Sequence, residues 1–182
     1  YNTEDGKVPV NAGTYTATVS YAGNNNYNAA ANVTVNIVIN KATSTLELED
    51  KEVTYNGEAQ TIEADTELSV TYEYYNGESK LSAAPVNAGT YKVKAIYAGD
   101  VNHVETSAEA TLVIKKADVI ITAAEVNKTY DGTKAEVTAT LSNDATPVVE
   151  YSTTDKQEPV NAGTYTATIA YAGDNNYNAA TK

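Results

Sequence analysis

The chain of 182 residues contains no cysteine, tryptophan, phenylalanine, methionine or arginine, and it has a single histidine. Without cysteine it can form neither disulfides nor thiolate metal sites. Without arginine it lacks the planar side chain that binds phosphate through two parallel hydrogen bonds, and its net charge of -12 repels nucleic acid backbones. No apolar run approaches the roughly 18 residues that a membrane-spanning helix needs. We therefore expect no nucleic acid partner and no membrane insertion.

One seven-residue motif, PVNAGTY, occurs three times, at residues 9–15, 85–91 and 159–165. A second motif, YAG, follows each copy and starts at residues 21, 97 and 171. Successive copies lie about 75 residues apart, and a fixed period of that size indicates tandem modules.

The phase of these motifs predicts three segments. Residues 1–40 are expected to be the C-terminal half of one module, residues 41–115 a complete module, and residues 116–182 a module without its final strand. We refer to them as the first, second and third repeat. Because neither end falls at a module boundary, we expect the chain to belong to a longer array.

Apolar residues alternate with period two within each repeat, which is typical of half-buried strands. TYTATVSY places Tyr15, Ala17 and Val19 on one face, and VTVNIVI alternates in the same way. No stretch has the apolar stripe of a helix. In the second repeat seven strands are predicted, at 45–48, 51–55, 60–64, 69–75, 80–83, 90–98 and 109–114. The fold class is thus all-β: tandem immunoglobulin-like β-sandwiches without a helix, with a β-grasp-like module as the alternative.

The PVNAGTY motif resembles the corner at which strand F of an immunoglobulin domain begins, where a tyrosine hydroxyl bonds back to upstream backbone. The resemblance implies a structural role for the tyrosine and the glycine of each copy. The glycines are expected to provide a position that tolerates positive φ. These corner residues are Tyr15, Tyr91, Tyr165, Gly13, Gly89 and Gly163.

At family level, VTYNGEAQT, PVNAGTYKVKAIYAGDVNH and EATLVIKKA together resemble tandem repeats of large bacterial surface proteins, the MBG and YDG types and related bacterial Ig-like repeats. KTYDGTKA at 128–135 is similar to the YDG signature. The resemblance implies an adhesin-like protein at the bacterial cell surface or secreted from the cell. It does not imply a particular ligand.

Few residues offer chemistry. His103 occupies a position held by Tyr27 and Tyr177 in the other repeats, which favours a packing or loop role over catalysis. Asp100 and Asp174 lie in Asn- and Asp-rich loops and are weak calcium candidates, although turns select the same residues without a metal. No nucleophile, base and stabiliser can be assembled, so we expect no enzyme, no cofactor and no metal site.

Three further possibilities stay open. Tyr75, in the run YEYY, could present its ring to a glycan. Lys51 and Lys128 lie near early strands and could form a Lys–Asn crosslink, although no spacing demands one. The third repeat lacks a strand equivalent to VTVNIVI, which leaves an open edge that another copy could pair with.

The sequence therefore predicts a non-catalytic stalk or spacer in a cell-surface adhesin, with neighbouring repeats of the same chain as its main partners. Linkers of two or three residues, NKA and KKA, should hold the repeats semi-rigidly. One alternative is a module that binds host glycans or glycoproteins. Another is a filament subunit that assembles by strand complementation.

Overall fold

A computed structural model describes all 182 residues, and it contains twelve β-strands and no helix. The all-β prediction is confirmed, and a β-grasp module, which needs a helix, is not present. No segment forms a helix that is long and apolar enough to cross a membrane. The strands are β1 (Gly13–Tyr21), β2 (Ala30–Ile39), β3 (Lys51–Thr54), β4 (Thr71–Asn76), β5 (Ser79–Lys80), β6 (Gly89–Tyr97), β7 (Thr106–Lys115), β8 (Ile121–Ala123), β9 (Ala139–Leu141), β10 (Val148–Tyr151), β11 (Ala167–Tyr171) and β12 (Ala180–Thr181).

The second repeat contains a five-stranded sheet in the order β3-β7-β6-β4-β5. β3 runs parallel to β7, with Lys51 opposite Leu112 and Val53 opposite Ile114. β4 and β5 form a hairpin in which Asn76 pairs with Ser79, so its two turn residues are Gly77 and Glu78. Gly77 has φ 56, and glycine is the residue that two-residue hairpin turns favour at a first position with positive φ. The order β7-β6-β4 corresponds to the strands G, F and C of an immunoglobulin sandwich.

The chain divides into two compact units. The first unit comprises Tyr1–Glu49, Glu63–Glu73 and Val93–Ala110, and the second comprises Asp50–Ile62, Tyr74–Lys92 and Thr111–Lys182. In the first unit, β1 and β2 form an antiparallel hairpin in which Tyr15 opposes Ile37, with a shift of register between Val19 and Tyr21. One face of this hairpin carries Tyr15, Ala17 and Val19 beside Val33 and Val35, as the alternation predicts.

The third repeat, which lies in the second unit, has two sheets. One sheet pairs β8 with β9, and the other has the order β10-β11-β12. Between them lies a core of four buried apolar side chains, to which Tyr171 and Tyr177 add partly buried rings. The four buried residues are Val119, Ile121, Leu141 and Ile169.

Two predicted strands of the second repeat, at 45–48 and 60–64, belong to no ladder in the structure. The side chains of 45–48 nevertheless alternate between exposed and partly buried positions, and in 60–64 Ile62 is buried while Glu63 is exposed. The alternation follows from the local pleat, whereas a ladder also needs a backbone partner in register. The pattern thus predicted correctly which residues turn inward and was wrong about hydrogen bonding.

Candidate functional site: contacts between successive repeats

In all three corner motifs, the tyrosine hydroxyl donates a hydrogen bond to the carbonyl oxygen of the asparagine four residues earlier. The distances are 3.0 Å from Tyr15 to Asn11, 2.9 Å from Tyr91 to Asn87 and 3.2 Å from Tyr165 to Asn161. The proline that opens each motif is buried. Each corner therefore holds the Asn-Ala dipeptide between the proline and the glycine at the protein surface in a defined conformation.

The expected positive φ at the corner glycine is wrong for Gly89 and Gly163, which do not have one. The glycine is needed for a different reason. A Cβ atom on Gly89 would lie 3.1 Å from the hydroxyl oxygen of Tyr91 and 3.2 Å from the ring carbon that bears it. The tyrosine ring folds back over the glycine, so a side chain there would press against the ring.

The loop that begins with YAG, which we call the YAG loop, is organised by the fourth residue. In the second repeat, one carboxylate oxygen of Asp100 accepts hydrogen bonds from the backbone N–H groups of Asn102 and His103, both at 2.7 Å. The other accepts the Tyr97 hydroxyl at 3.0 Å. The His103 ring lies 2.9 Å from the carboxylate, and this contact, with the Asn102 N–H, lowers the Asp100 pKa to about 2.

The same loop geometry recurs in the other repeats. In the third repeat the Asp174 carboxylate accepts hydrogen bonds from the backbone N–H groups of Asn176 and Tyr177. The hydrogen bond from the Tyr171 hydroxyl, together with the one from the Asn176 N–H, lowers the pKa of Asp174. In the first repeat Asn24 accepts two backbone N–H groups with its side-chain oxygen. An uncharged amide therefore supports the same turn, which explains the Asx residues of these loops without a metal.

A first joint links the corner of the first repeat to the YAG loop of the second. The side-chain oxygen of Asn102 accepts the Ala12 N–H at 2.8 Å, and its amide nitrogen donates to the side-chain oxygen of Asn11 at 3.1 Å. The linker meets the same loop, since the Ala42 N–H donates to the Asn102 carbonyl at 2.7 Å. The Lys41 ammonium donates to the Asp100 carbonyl at 2.5 Å.

A second joint repeats this arrangement about 75 residues later. The side-chain oxygen of Asn176 accepts the Ala88 N–H at 2.9 Å, and its amide nitrogen donates to the side-chain oxygen of Asn87 at 3.2 Å. In the linker, the Lys116 ammonium donates to the Asp174 carbonyl, and the Ala117 N–H donates to the Asn176 carbonyl at 2.9 Å. In addition, the rings of Tyr55 and Tyr177 meet edge to face, with their centroids 5.4 Å apart.

Both joints thus use one asparagine as a two-way connector. Its carboxamide donates and accepts at the same time, while its own backbone is fixed by the loop carboxylate and the linker. The connector itself offers only amide and backbone groups, which donate and accept hydrogen bonds. It can hold two repeats in one orientation.

The sequence analysis missed this asparagine, although a signal was present. The sixth residue of the YAG loop is Asn in all three copies, at 26, 102 and 176. Such recurrence in a loop that otherwise varies indicates a specific contact. Its partner could not be read from the sequence, because the partner lies about 90 residues away.

The remaining candidate residues are dispersed. Tyr75 is half-buried, and the Lys92 ammonium lies 5.0 Å from the centre of its ring. Lys51 donates to the Thr61 carbonyl at 2.7 Å, and Lys128 contacts Asp131 at 3.0 Å within the turn TYDG. No group of three or more His, Asp or Glu residues could hold a metal ion.

A family model described as "MBG domain" matches this chain twice, at residues 44–118 and 120–182. No curated protein and no solved structure matches the chain. The two matches together span well over half of the sequence. MBG domains occur in bacterial surface proteins.

Proposed function

The chain belongs to the MBG domain family and carries it in tandem, and from this premise we propose that it serves as a non-catalytic spacer in a bacterial surface adhesin. The observation that carries the proposal is the joint, which recurs with the same residues between the first and second and between the second and third repeats. A spacer needs such a contact, because freely jointed repeats would not keep an adhesive domain at a fixed distance.

Individually the joint contacts are weak. A hydrogen bond in a protein contributes about 1 kcal/mol net, and each connector asparagine makes two through its side chain. The short linker raises the effective concentration of one repeat beside the next, so contacts that would not hold two separate proteins together suffice within one chain. The net charge of -12 supports the same role, because it keeps long arrays soluble and mutually repelling.

The role is tested by measuring distances across the second joint. Since the chain has no cysteine, spin labels can be attached at Glu78→Cys and Thr154→Cys, both of which are exposed positions. We expect a narrow distance distribution that broadens in the Asn176→Ala variant. Asn26→Ala is the matched control, because the Asn26 side chain occupies the same loop position without a corner to bond. An unchanged distribution in Asn176→Ala would refute a fixed joint.

Glycan or host glycoprotein binding is the alternative, and it has weaker support. The ring of Tyr75 is half-buried and faces a lysine, so a sugar would have to displace the Lys92 side chain to stack on it. The most exposed rings, Tyr27 and Tyr130, belong to different repeats. A glycan array probed with the whole chain distinguishes the two roles, because a spacer binds no sugar.

A further inference from the structure

A parallel ladder joins an early and a late strand of the second repeat. β3 lies near the beginning of this repeat, and β7 ends one residue before the linker lysine Lys116. Four residue pairs oppose each other, from Lys51 opposite Leu112 to Thr54 opposite Lys115. The chain therefore enters the ladder at one end through β3 and leaves it at the other end through β7.

This direction decides how the ladder responds to tension. Tandem repeats are linked in series, so a pull on the chain passes through each of them. A pull on Lys51 toward the N-terminus and on Lys115 toward the C-terminus slides the two strands past each other and loads all bonds of the ladder together. In the antiparallel hairpin of β1 and β2, by contrast, Gly13 opposes Ile39, so the same pull would open one pair after another from that end.

Contacts at both ends extend the ladder. At the end where the chain enters, a carboxylate oxygen of Asp50 accepts the Thr111 N–H at 2.6 Å. At the other end the Tyr55 N–H donates to the Lys115 carbonyl at 2.8 Å, and the Lys115 ammonium forms an ion pair with Glu52. The two strands are thus tied to each other beyond the residues that pair.

Two side chains of β7 anchor the ladder in the core. Leu112 and Ile114 are 0% and 2% exposed, so sliding β7 along β3 would draw both out of an apolar environment. Upstream of the ladder, the backbone of Ala42 makes two hydrogen bonds to residues 102–104. Tension that breaks these two bonds passes on to Lys51, where the longer ladder begins.

We propose that the ladder between β3 and β7 is a mechanical clamp, which keeps the second repeat folded when the chain is pulled along its length. Bearing tension goes beyond the spacer role. A spacer at rest needs only a fixed orientation between repeats, whereas a repeat under load needs a contact that resists sliding. The clamp does not involve the connector asparagines, so it is independent of the joints.

Single-molecule force spectroscopy with two attachment geometries tests the clamp. Because the chain has no cysteine, handles can be attached through cysteines introduced at exposed positions. The pair Glu49→Cys and Lys116→Cys pulls from opposite ends and shears the ladder, whereas the pair Glu58→Cys and Lys116→Cys pulls from one end and peels it. We expect an unfolding force at least about twofold higher in shear, because forced unfolding follows the barrier met along the pulling direction. The released length, about 3.5 Å per residue between the handles, identifies this repeat.

One variant separates the clamp from general stability. Asp50→Ala removes the bond to Thr111, so it should lower the shearing force and leave the peeling force unchanged, because peeling begins at the Tyr55 end. Asp65→Ala is the matched control, an exposed acidic residue of the same repeat outside the ladder, and should change neither force. The joint variant Asn176→Ala should also keep the shearing force, so a failed joint and a failed clamp are distinguishable. Equal forces in the two geometries, or an Asp50→Ala chain weakened alike in both, would overturn the proposal.

Discussion

Replacing the corner tyrosine of the second repeat should destabilise that repeat and loosen the joint that follows it. Tyr91 is 7% exposed, and its hydroxyl donates to the Asn87 carbonyl at 2.9 Å. The side chain of Asn87 and the N–H of Ala88 are the groups that bond to Asn176. Tyr91 therefore lies beneath the joint and orients the dipeptide that forms it.

The magnitude follows from burial and from one hydrogen bond. Truncating a buried ring to alanine costs about 3 kcal/mol or more, because packing is lost and a cavity remains. Tyr91→Phe keeps the ring and removes only the hydroxyl, so it should cost less than about 1 kcal/mol, since the exposed Asn87 can bond to water instead. Tyr165 is the matched control: it makes the same bond but is 37% exposed, so by buried area Tyr165→Ala should lose about two thirds as much stability.

Native-state hydrogen exchange is the suitable assay, because a tandem array need not unfold in one step. Amides of β6 and β7 report on the second repeat, and those of β11 on the third. For Tyr91→Ala we expect the opening free energy of β6 and β7 to fall by about 3 kcal/mol, with a smaller change in β11. In Tyr91→Phe, the distance distribution across the second joint should broaden while β6 stays protected.

Two results would refute this reasoning. The first is a loss below about 1 kcal/mol in Tyr91→Ala, which would mean that the ring does not support the core. The second is an equal loss in Tyr91→Ala and Tyr165→Ala, since their different exposure predicts different effects.

Two further predictions concern the YAG loop. Gly99 has φ +77, and a Cβ atom there would lie 2.8 Å from the His103 carbonyl oxygen, whereas Gly57 has φ +81 with open space around it. Gly99→Ala should therefore destabilise the second repeat by about 1 to 2 kcal/mol more than Gly57→Ala does. Calorimetry that gives the two variants equal stability would contradict this. The pKa of Asp100 is lowered to about 2, so its stabilising contribution is present above the unfolded value near 3.8 and is lost as the pH falls through about 2. Carboxyl NMR should show this midpoint, and His103→Phe should raise it; a midpoint near 3.8 in the unmodified chain would argue against the loop geometry.

Much of the fold could be predicted from short-range pattern. Alternating residues such as Val93 and Ala95 are both fully buried, as their spacing requires, and the tandem repeats and all-β class are confirmed. The segment 60–64 shows the limit: Ile62 turns inward, yet no strand pairs with it. A pleat depends on neighbouring residues only, whereas a ladder depends on a partner that the local sequence does not specify.

The sequence by itself determined the repeat, its length, the strand alternation and the recurrence of the corner and the loop, because each of these depends on residues close together in the chain. The tertiary structure decided what the recurring residues contact. It showed that Gly89 is needed because a side chain there would press against the Tyr91 ring, and not because its φ is positive. It also showed that Asn102 and Asn176 form hydrogen bonds with corner residues about 90 residues away. Contacts of that range depend on where folded strands place their ends, and no local pattern records that placement.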